Sequence, residues 1–392
     1  MQVGLVGAPN TGKSTFMKAA TLADIEIQNY PFTTIEANRG VGYVTTECPC
    51  RETDTTCDPN GRCVNGTRFI PINMLDVAGL VPDAHKGRGL GNQFLDDLRE
   101  ADVLIHVLDI SGRTDSEGEP TENHDPHENI SFLEDELDFW YEDIFMREWN
   151  KISSSIELEG KDLENQLLDR FSGLKIERKD IKKAMVKLGL DSEKPGSWTE
   201  EDIKGFATEL RKQTKPMLVA ANKIDLPGSE KKLEDLRART DLDVLPCCAE
   251  AELALRKASE VGKVEYIPGR GDFKVTDENI PKKQKDALDF VANIIDKYGS
   301  TGVQEVINRA VFQLLDLIVV YPVENENKYT DKKGNVLPDA ILLENESTAG
   351  DLAYKVHSDI GDDMIGAIDC KSGRKIGVDH VLKDGDIIKI LT

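Results

Sequence analysis

The sequence predicts an α/β fold, with a parallel-type sheet interrupted by a helical insertion and followed by a small mixed β/α module. Three observations carry that expectation. An apolar run, Gln2-Val-Gly-Leu-Val6, leads through glycine-rich sequence into a helix-like stretch from Lys13 to Leu22, giving the order strand, loop, helix. Further apolar runs at Phe69 to Leu75, Val103 to Leu108 and Met217 to Ala221 lack polar alternation, as strands buried on both faces do. Between the last two, from about Ile130 to Lys215, the sequence turns charge-rich and takes helical spacing at Leu133, Leu137, Trp140 and Ile144, then at Leu163 and Leu167.

The polar stretch Ser111 to Asn129, with Gly118, Pro120 and Pro126, is expected to be a loop leading into this insertion. After Asp225 the sheet resumes at Asp243 to Pro246, and a mostly helical stretch follows to about Leu315. The remainder alternates short apolar runs (Leu317 to Val320, Ala340 to Leu343, Ile387 to Leu391) with Gly, Asp and Asn turns, and holds one helix candidate, Ala349 to Val356. The expected division is therefore an α/β domain at 1–110 and 216–270 with a cysteine-rich insert at 47–66, a loop and helical insertion at 111–215, a helical connector at 271–315, and a C-terminal module at 316–392.

The 392 residues are 39% hydrophobic and 31% charged, enough apolar content for two or three cores. With 49 Lys+Arg against 72 Asp+Glu the net charge is -23, and such a field repels phosphate backbones. Any nucleic-acid contact must then be local. No run of about 20 apolar residues could span a bilayer; Gln313 and Asp316 interrupt the most apolar late stretch, Ala310 to Tyr321. Gln2 to Val6 runs straight into a glycine loop and does not read as a signal peptide. A cytoplasmic protein without a membrane partner is expected.

Gly7-Ala-Pro-Asn-Thr-Gly-Lys-Ser14, after a strand and before a helix, matches the P-loop pattern. Glycines there let backbone N–H groups curl round phosphates, so Gly7, Asn10, Thr11, Gly12, Lys13, Ser14 and Thr15 are the candidate phosphate-binding residues. Lys13 would reach the β and γ oxygens, and Ser14 would ligate Mg²⁺. A glycine turn opening an ordinary helix is the bland alternative. Asp76-Val-Ala-Gly79 follows the Phe69 to Leu75 run and fits the metal-side aspartate of a nucleotide site, with the Gly79 N–H available to the γ-phosphate. Its sequel, Gly87-Arg-Gly-Leu-Gly91, has the backbone freedom of a segment ordered by that phosphate, or of a plain flexible loop.

Asn222-Lys-Ile-Asp225 ends the Met217 to Ala221 run. The Asp225 carboxylate can accept hydrogen bonds from the N1–H and 2-amino group of guanine, whereas adenine offers a bare N1 and no 2-amino group. Lys223 would cover the ring, and Asn222 would tie this loop to the P-loop.

Together these motifs resemble translation-factor-class GTPases, and more closely the Obg-related YchF family. Tyr30-Pro-Phe-Thr-Thr34, Asp76-Val-Ala-Gly-Leu-Val81, Gly89-Leu-Gly-Asn-Gln-Phe94 and Ala249-Glu-Ala-Glu-Leu-Ala254 look like that family's signatures. The C-terminal module resembles its β-grasp TGS domain, with Gly385-Asp-Ile-Ile-Lys-Ile390 as closing strand. The resemblance covers nearly the whole chain, including a coiled-coil-like insertion. It implies a P-loop G domain that binds GTP and GDP with Mg²⁺ and acts near the ribosome or in stress signalling. By it Thr34, or alternatively Thr33, would close on the Mg²⁺ held by Ser14, Asp76 would orient the metal's water shell, and Ala249 would offer its N–H to guanine O6. Cys247-Cys248 stand where a serine commonly precedes that alanine. Relatives with altered base-recognition residues prefer ATP, but Asn222, Lys223 and Asp225 are intact, so guanine selectivity is expected.

Leu80 stands where many GTPases place the glutamine that orients attacking water, so intrinsic hydrolysis should be slow. Asn10 matches an asparagine that helps hold K⁺ in several potassium-stimulated GTPases. His85 is a candidate water-positioning group, or simply an exposed loop histidine. The expected activity is thus a slowly hydrolysing GTPase switch in which nucleotide sets the order of residues 30–40 and 79–92 and a ribosomal or translation-associated partner senses it. An ATP-preferring hydrolase, or a ribosome- or RNA-binding adaptor with incidental turnover, are the alternatives.

Cys48, Cys50, Cys57 and Cys63 form C-x-C-x₆-C-x₅-C in a stretch with Pro59 and Gly61. Four thiolates there could close a structural Zn²⁺ site, with free thiols as the alternative. Lys282-Lys-Gln-Lys285 reads first as a solvated face. From Tyr321 to Thr392 there are 9 Lys+Arg against 14 Asp+Glu, which argues against charge-driven RNA binding by the C-terminal module.

Overall fold

The computed structural model describes residues 1–21, 38–53, 55–77, 97–277 and 280–392. The first seven strands among them are β1 (Gln2–Val6), β2 (Arg39–Glu47), β3 (Arg62–Val64), β4 (Thr67–Asp76), β5 (Val103–Asp109), β6 (Met217–Asn222) and β7 (Val244–Pro246). The chain divides into two compact units: residues 1–19, 74–253 and 301–306, and residues 20–73, 254–300 and 307–392.

The first unit carries the predicted sheet, in the order β4-β1-β5-β6-β7, to which β4 contributes its last residues, 74–76. The pairs β1 with β5, β5 with β6, and β6 with β7 are all parallel. Every residue of β5 and β6 is buried, which explains their unbroken apolar runs. Helix Lys13–Thr21 follows the glycine loop.

The insertion is helical as expected, but it begins earlier. Helix Pro126–Glu159 starts where a loop to Asn129 was expected, because Asp125 accepts a hydrogen bond from the His127 N–H and Pro126 takes the first helical turn. It ends at Gly160 in the left-handed conformation, φ 66°. Helices Leu163–Arg170, Arg178–Leu188 and Glu200–Thr214 complete the insertion. Its core is aromatic: Phe145 stacks on Phe171 at 4.2 Å between centroids and Trp149 on Trp198 at 4.8 Å, so the leucine spacing serves internal packing. Arg211, buried, ties the last helix to the first through Asp138 at 2.6 Å.

In the second unit β2 and β3 are neighbours of β4, whose residues 67–73 belong to it. A hairpin of β8 (Val264–Tyr266) and β9 (Phe273–Val275) stands where no strand was expected, its three-residue arms being too short to show alternation. Strands β10 (Leu317–Val323), β11 (Ile341–Glu344), β12 (Gly366–Asp369), β13 (Arg374–Ile376) and β14 (Ile387–Leu391) form a mixed sheet ordered β11-β10-β14-β12-β13, in which only β10 and β14 pair in parallel. Helix Ala349–Val356 follows β11, opened by a capping box between Thr348 and Asp351. Leu352, Ile318, Val320 and Ile388 share one core, and the whole is a β-grasp. No helix among the described residues is long and apolar enough to cross a membrane.

His106 is an exception to the apolar composition of β5. It sits between Val6 of β1 and Val219 of β6 with 2% of its surface exposed, and its Nδ1 has no hydrogen-bond partner among the described residues. Burial lowers its pKa from 6.5 to about 4. The folded protein therefore keeps this ring neutral where the unfolded chain takes up a proton, and stability is lost as pH falls from 6.5 toward 4. Across that window the loss attributable to His106 should reach about 3 kcal/mol. Urea unfolding at pH 7 and pH 4.5 should show it, and His106→Leu should remove that increment; an unchanged pH dependence in the variant would contradict the assignment.

Candidate functional site

Because β1, β5 and β6 are parallel, their C-terminal ends open onto one edge of the sheet, and Asp109 and Asn222 are register partners there. Ligands of open parallel sheets bind at this edge. The loop after β1 is shaped by two glycines with positive φ. A Cβ on Gly7 would lie 2.3 Å from the Val107 carbonyl oxygen, and one on Gly12 would lie 2.2 Å from Asn222 Nδ2, so neither position has room for a side chain. Buried Thr11 closes the loop by donating from Oγ1 to the Ala8 carbonyl at 3.0 Å. The Lys13 ammonium lies 2.8 Å from Asp76 Oδ1 and donates to the Val77 carbonyl at 2.9 Å. The P-loop lysine and the aspartate that ends β4 thus meet in space.

Asn222 joins three loops. Its Nδ2 donates to the Thr11 carbonyl at 2.9 Å, and its Oδ1 accepts the Ala249 N–H at 3.0 Å. The first bond is the expected tie to the P-loop. The second engages the Ala249 N–H, the group expected to donate to a base, with the other end of the same buried amide. Ala249 itself does not line the pocket, whereas Cys248 and Glu250 do.

Lys223, in the left-handed region at φ 61°, reaches back to the Asn10 carbonyl and to Asp109 Oδ2, both at 2.8 Å. Asp109, which motif reading missed, supports Lys223 at the site. Its buried carboxylate also accepts from the Ser111 N–H at 3.0 Å, the Ser111 hydroxyl, and the Thr114 hydroxyl at 2.8 Å. Burial by itself would raise its pKa, but the hydrogen bonds from Lys223, Ser111 and Thr114 outweigh that and hold it below the ordinary carboxylate range. Its trace in the sequence was an aspartate closing the apolar run Val103 to Leu108. Asn10, at φ 62°, donates from Nδ2 to the Gly118 carbonyl at 3.0 Å, so the loop after β5 buttresses the P-loop as well.

At the far side of the pocket Cys248 Sγ donates to Asp225 Oδ1 at 3.1 Å. Burial, reinforced by the Asp225 charge, pushes this thiol well up, so it remains a donor at neutral pH. The departure from serine at this position therefore keeps a hydrogen bond to Asp225. Ser14 and Thr15 line the same cavity as Asn10, Gly12, Lys13, Asn222, Lys223, Asp225 and Cys248; its volume is about 570 Å³, a size suited to one small ligand. Thr33, Thr34, Gly79, Leu80, His85 and the 87–91 segment lie outside the described residues.

The cysteine-rich insert belongs to the second unit, and none of its thiols lines this pocket. The sulfurs of Cys48, Cys50, Cys57 and Cys63 all lie within 4.8 Å of one another. Cys48 is lowered to about 5, first by a hydrogen bond from Cys63. Burial, then the neighbouring thiols, pushes Cys50 up to about 12.

Comparison with known proteins agrees with this geometry. A family model described as "50S ribosome-binding GTPase" matches residues 2–137, one described as "Obg-like GTPase YGR210-like, G4 motif-containing domain" matches 220–325, and a TGS domain model matches 328–392. An uncharacterized GTP-binding protein of Methanocaldococcus jannaschii is 50% identical over 100% of this chain and 98% of its own length. The crystal structure of a GTP binding protein from Pyrococcus horikoshii OT3 superimposes with a TM-score of 0.81 at 41% identity, covering 100% of both chains. A Bacillus subtilis protein named ribosome-binding ATPase YchF is 27% identical over 99% of this chain and 98% of its own. A P-loop matched over its own domain model, a base-side motif matched over another, and a C-terminal β-grasp place the chain in the Obg-like, YchF-type family of GTP-binding GTPases with a TGS domain.

Proposed function

We propose that this protein is a slowly hydrolysing GTP switch of the cytoplasm whose nucleotide state is read by the ribosome or a translation-associated partner. The observation that carries the reading is the single cavity lined by both the P-loop and Asn222, Lys223 and Asp225. The domain division that goes with it is a G domain at 1–110 and 216–270, a helical insertion at 111–215, a connector at 271–315 and a TGS-like domain at 316–392.

In that cavity loop amides of Gly7 to Thr15 hold the phosphates, and Lys13 exchanges its contact with Asp76 for the β and γ oxygens. The fit of this corner to Mg²⁺ rests on its donor set: a serine hydroxyl at Ser14 and a carboxylate at Asp76, hard oxygen donors of the kind Mg²⁺ takes. Bound there, Mg²⁺ supplies neutralisation of charge on the β and γ phosphates. Thr34, or Thr33, adds a hydroxyl in the triphosphate state, Gly79 offers its N–H to the γ-phosphate, and His85 is the candidate for positioning water. Leu80 cannot orient water, which is the basis for a slow intrinsic rate.

Guanine is selected because Asp225 accepts from two donors that adenine lacks; an adenine there would leave a carboxylate unpaired. The name of the Bacillus subtilis relative favours a second reading, preference for ATP, and competition between the two nucleotides separates them. Asn10 commits its Nδ2 to Gly118, which leaves Oδ1 as the cation-binding end of the amide, in keeping with K⁺ as a charge-stabilising cofactor.

Turnover of GTP in potassium buffer should exceed that in sodium buffer of equal ionic strength by roughly tenfold or more; equal turnover would remove K⁺ from the account. The partner reading is checked by co-sedimentation with ribosomes in GTP-analogue, GDP and nucleotide-free states. Association should depend on the nucleotide and be lost in Lys13→Ala. Equal association in all three states, retained by the variant, would favour an adaptor whose turnover is incidental.

A further inference from the structure

The nucleotide pocket makes no use of the cysteine-rich insert, yet the insert is ordered in a way its composition does not explain. Between Glu47 and Gly66, Val64 is the one aliphatic side chain. A stretch this polar cannot bury enough apolar surface to offset the entropy of ordering it. The bonds that hold its two ends are local. The Cys48 N–H donates to the Gly66 carbonyl at 2.9 Å, a turn over Pro49–Arg51 returns Cys50 toward Cys48, and β3 pairs antiparallel with β4 through a tight turn at Asn65 and Gly66. These elements converge on four sulfurs.

All seven cysteines are free thiols, and the four of the insert have their sulfurs within 4.8 Å of one another. Cys50 Sγ and Cys63 Sγ are 3.9 Å apart. Tetrahedral thiolates at about 2.3 Å from zinc stand about 3.8 Å from each other, so the spacing matches a single four-sulfur ion site. Four soft donors in a tetrahedron select zinc or iron rather than Mg²⁺ or Ca²⁺.

The insert is also a platform. The Asp58 N–H donates to the Val336 carbonyl at 2.9 Å and the Asn60 N–H to the Pro338 carbonyl at 3.0 Å, a two-residue alternation like that of an added strand. Asn60 Nδ2 reaches Asp339 Oδ1 at 2.9 Å. Both Asp58 and Asn60 lie between the third and fourth cysteines. Next to them the buried Arg68 guanidinium donates to the Leu337 and Pro338 carbonyls at 2.9 and 2.8 Å, and Lys371 pairs with Glu52 at 2.8 Å.

We propose that Cys48, Cys50, Cys57 and Cys63 hold one Zn²⁺ in a closed structural site, and that the ion fixes the loop on which residues 336–339 of the TGS domain are docked. With all four positions taken by sulfur the ion has no place for a substrate and takes no part in phosphoryl transfer. Its binding energy is spent on ordering the insert.

Freshly purified full-length protein, prepared without chelator under reducing conditions, should contain about one zinc per chain by inductively coupled plasma mass spectrometry. Replacement by Co²⁺ should give the intense visible bands of tetrahedral thiolate coordination, and Cys50→Ser with Cys63→Ser should lose the metal. Stripping the ion with a mercurial and a chelator, then restoring thiols, should accelerate amide hydrogen exchange in 48–66 and in 336–339 together, by roughly tenfold or more. Stoichiometric iron, absence of metal, or two disulfides in place of an ion would each overturn the site. Zinc whose removal changes exchange in 48–66 but leaves 336–339 unaffected would overturn the docking role while leaving the ion in place.

Discussion

The architecture of the pocket depends on one buried side-chain amide. Asn222 is the point at which the P-loop, through the Thr11 carbonyl, and the loop opening helix Ala249–Glu260, through the Ala249 N–H, are held to the end of β6. Gly12 lies so close to this amide that a methyl group would collide with it, so the loop's path and the position of Asn222 determine each other. A carboxylate in place of the amide could accept from Ala249 but could not donate to Thr11, and an apolar residue would leave two buried backbone groups unpaired, each costing about 1–3 kcal/mol. The P-loop and the loop before Ala249 are thereby tied to one residue without a ligand; in the function proposed above, that lets binding energy be spent on recognition rather than on ordering loops.

Charge is arranged around that frame in two half-buried pairs. Lys13 is held beside Asp76, and Lys223 beside Asp109. The two differ in what surrounds them. Asp109 is satisfied by Ser111 and Thr114 as well as by Lys223, a closed network whose role is to fix the lysine stem along the cavity wall. Lys13 has a carbonyl and one carboxylate as partners and stands at the mouth of the amide cradle, where a triphosphate offers more negative charge than Asp76 does. The Lys223–Asp109 pair is scaffold, and the Lys13–Asp76 pair is the one that, in the function proposed above, a nucleotide rearranges. The chain's net charge of -23 makes such local concentration of positive and dipolar groups the means by which an acidic protein can hold an anion at all.

Much of this was legible because the relevant signals are short-range. The glycine loop, Asp76, and Asn222 to Asp225 lie at strand ends whose apolar runs are visible without structure, and helix Ala349–Val356 has its predicted bounds because Thr348 and Asp351 write a capping box into the sequence. What escaped reading was long-range or locally faint. Strand β2 has no clean alternation, and the β8–β9 arms are three residues each. The start at Pro126 was hidden by reading proline as a loop signal when Asp125 made it a helix opener. The importance of Asp109 rests on Lys223, which lies far along the chain, and the use made of the Ala249 N–H could not be known until Asn222 was seen to need it. The cysteine spacing raised the possibility of a metal site; the convergence of the four sulfurs and the docking of 336–339 needed coordinates.

In the function proposed above, one cavity holds a nucleoside triphosphate at its phosphate end through the P-loop and chooses the base at its other end through Asp225. Titration calorimetry of GTP and ATP in parallel, in the presence of Mg²⁺ and against both the native chain and Asp225→Ala, tests it most directly. GTP should bind the native protein at least about a hundredfold more tightly than ATP, as expected when a mismatched ligand leaves a buried polar group unpaired, and the variant should lose that preference while still binding triphosphate. Equal or tighter binding of ATP by the native protein, or a preference for GTP that survives in the variant, would contradict it.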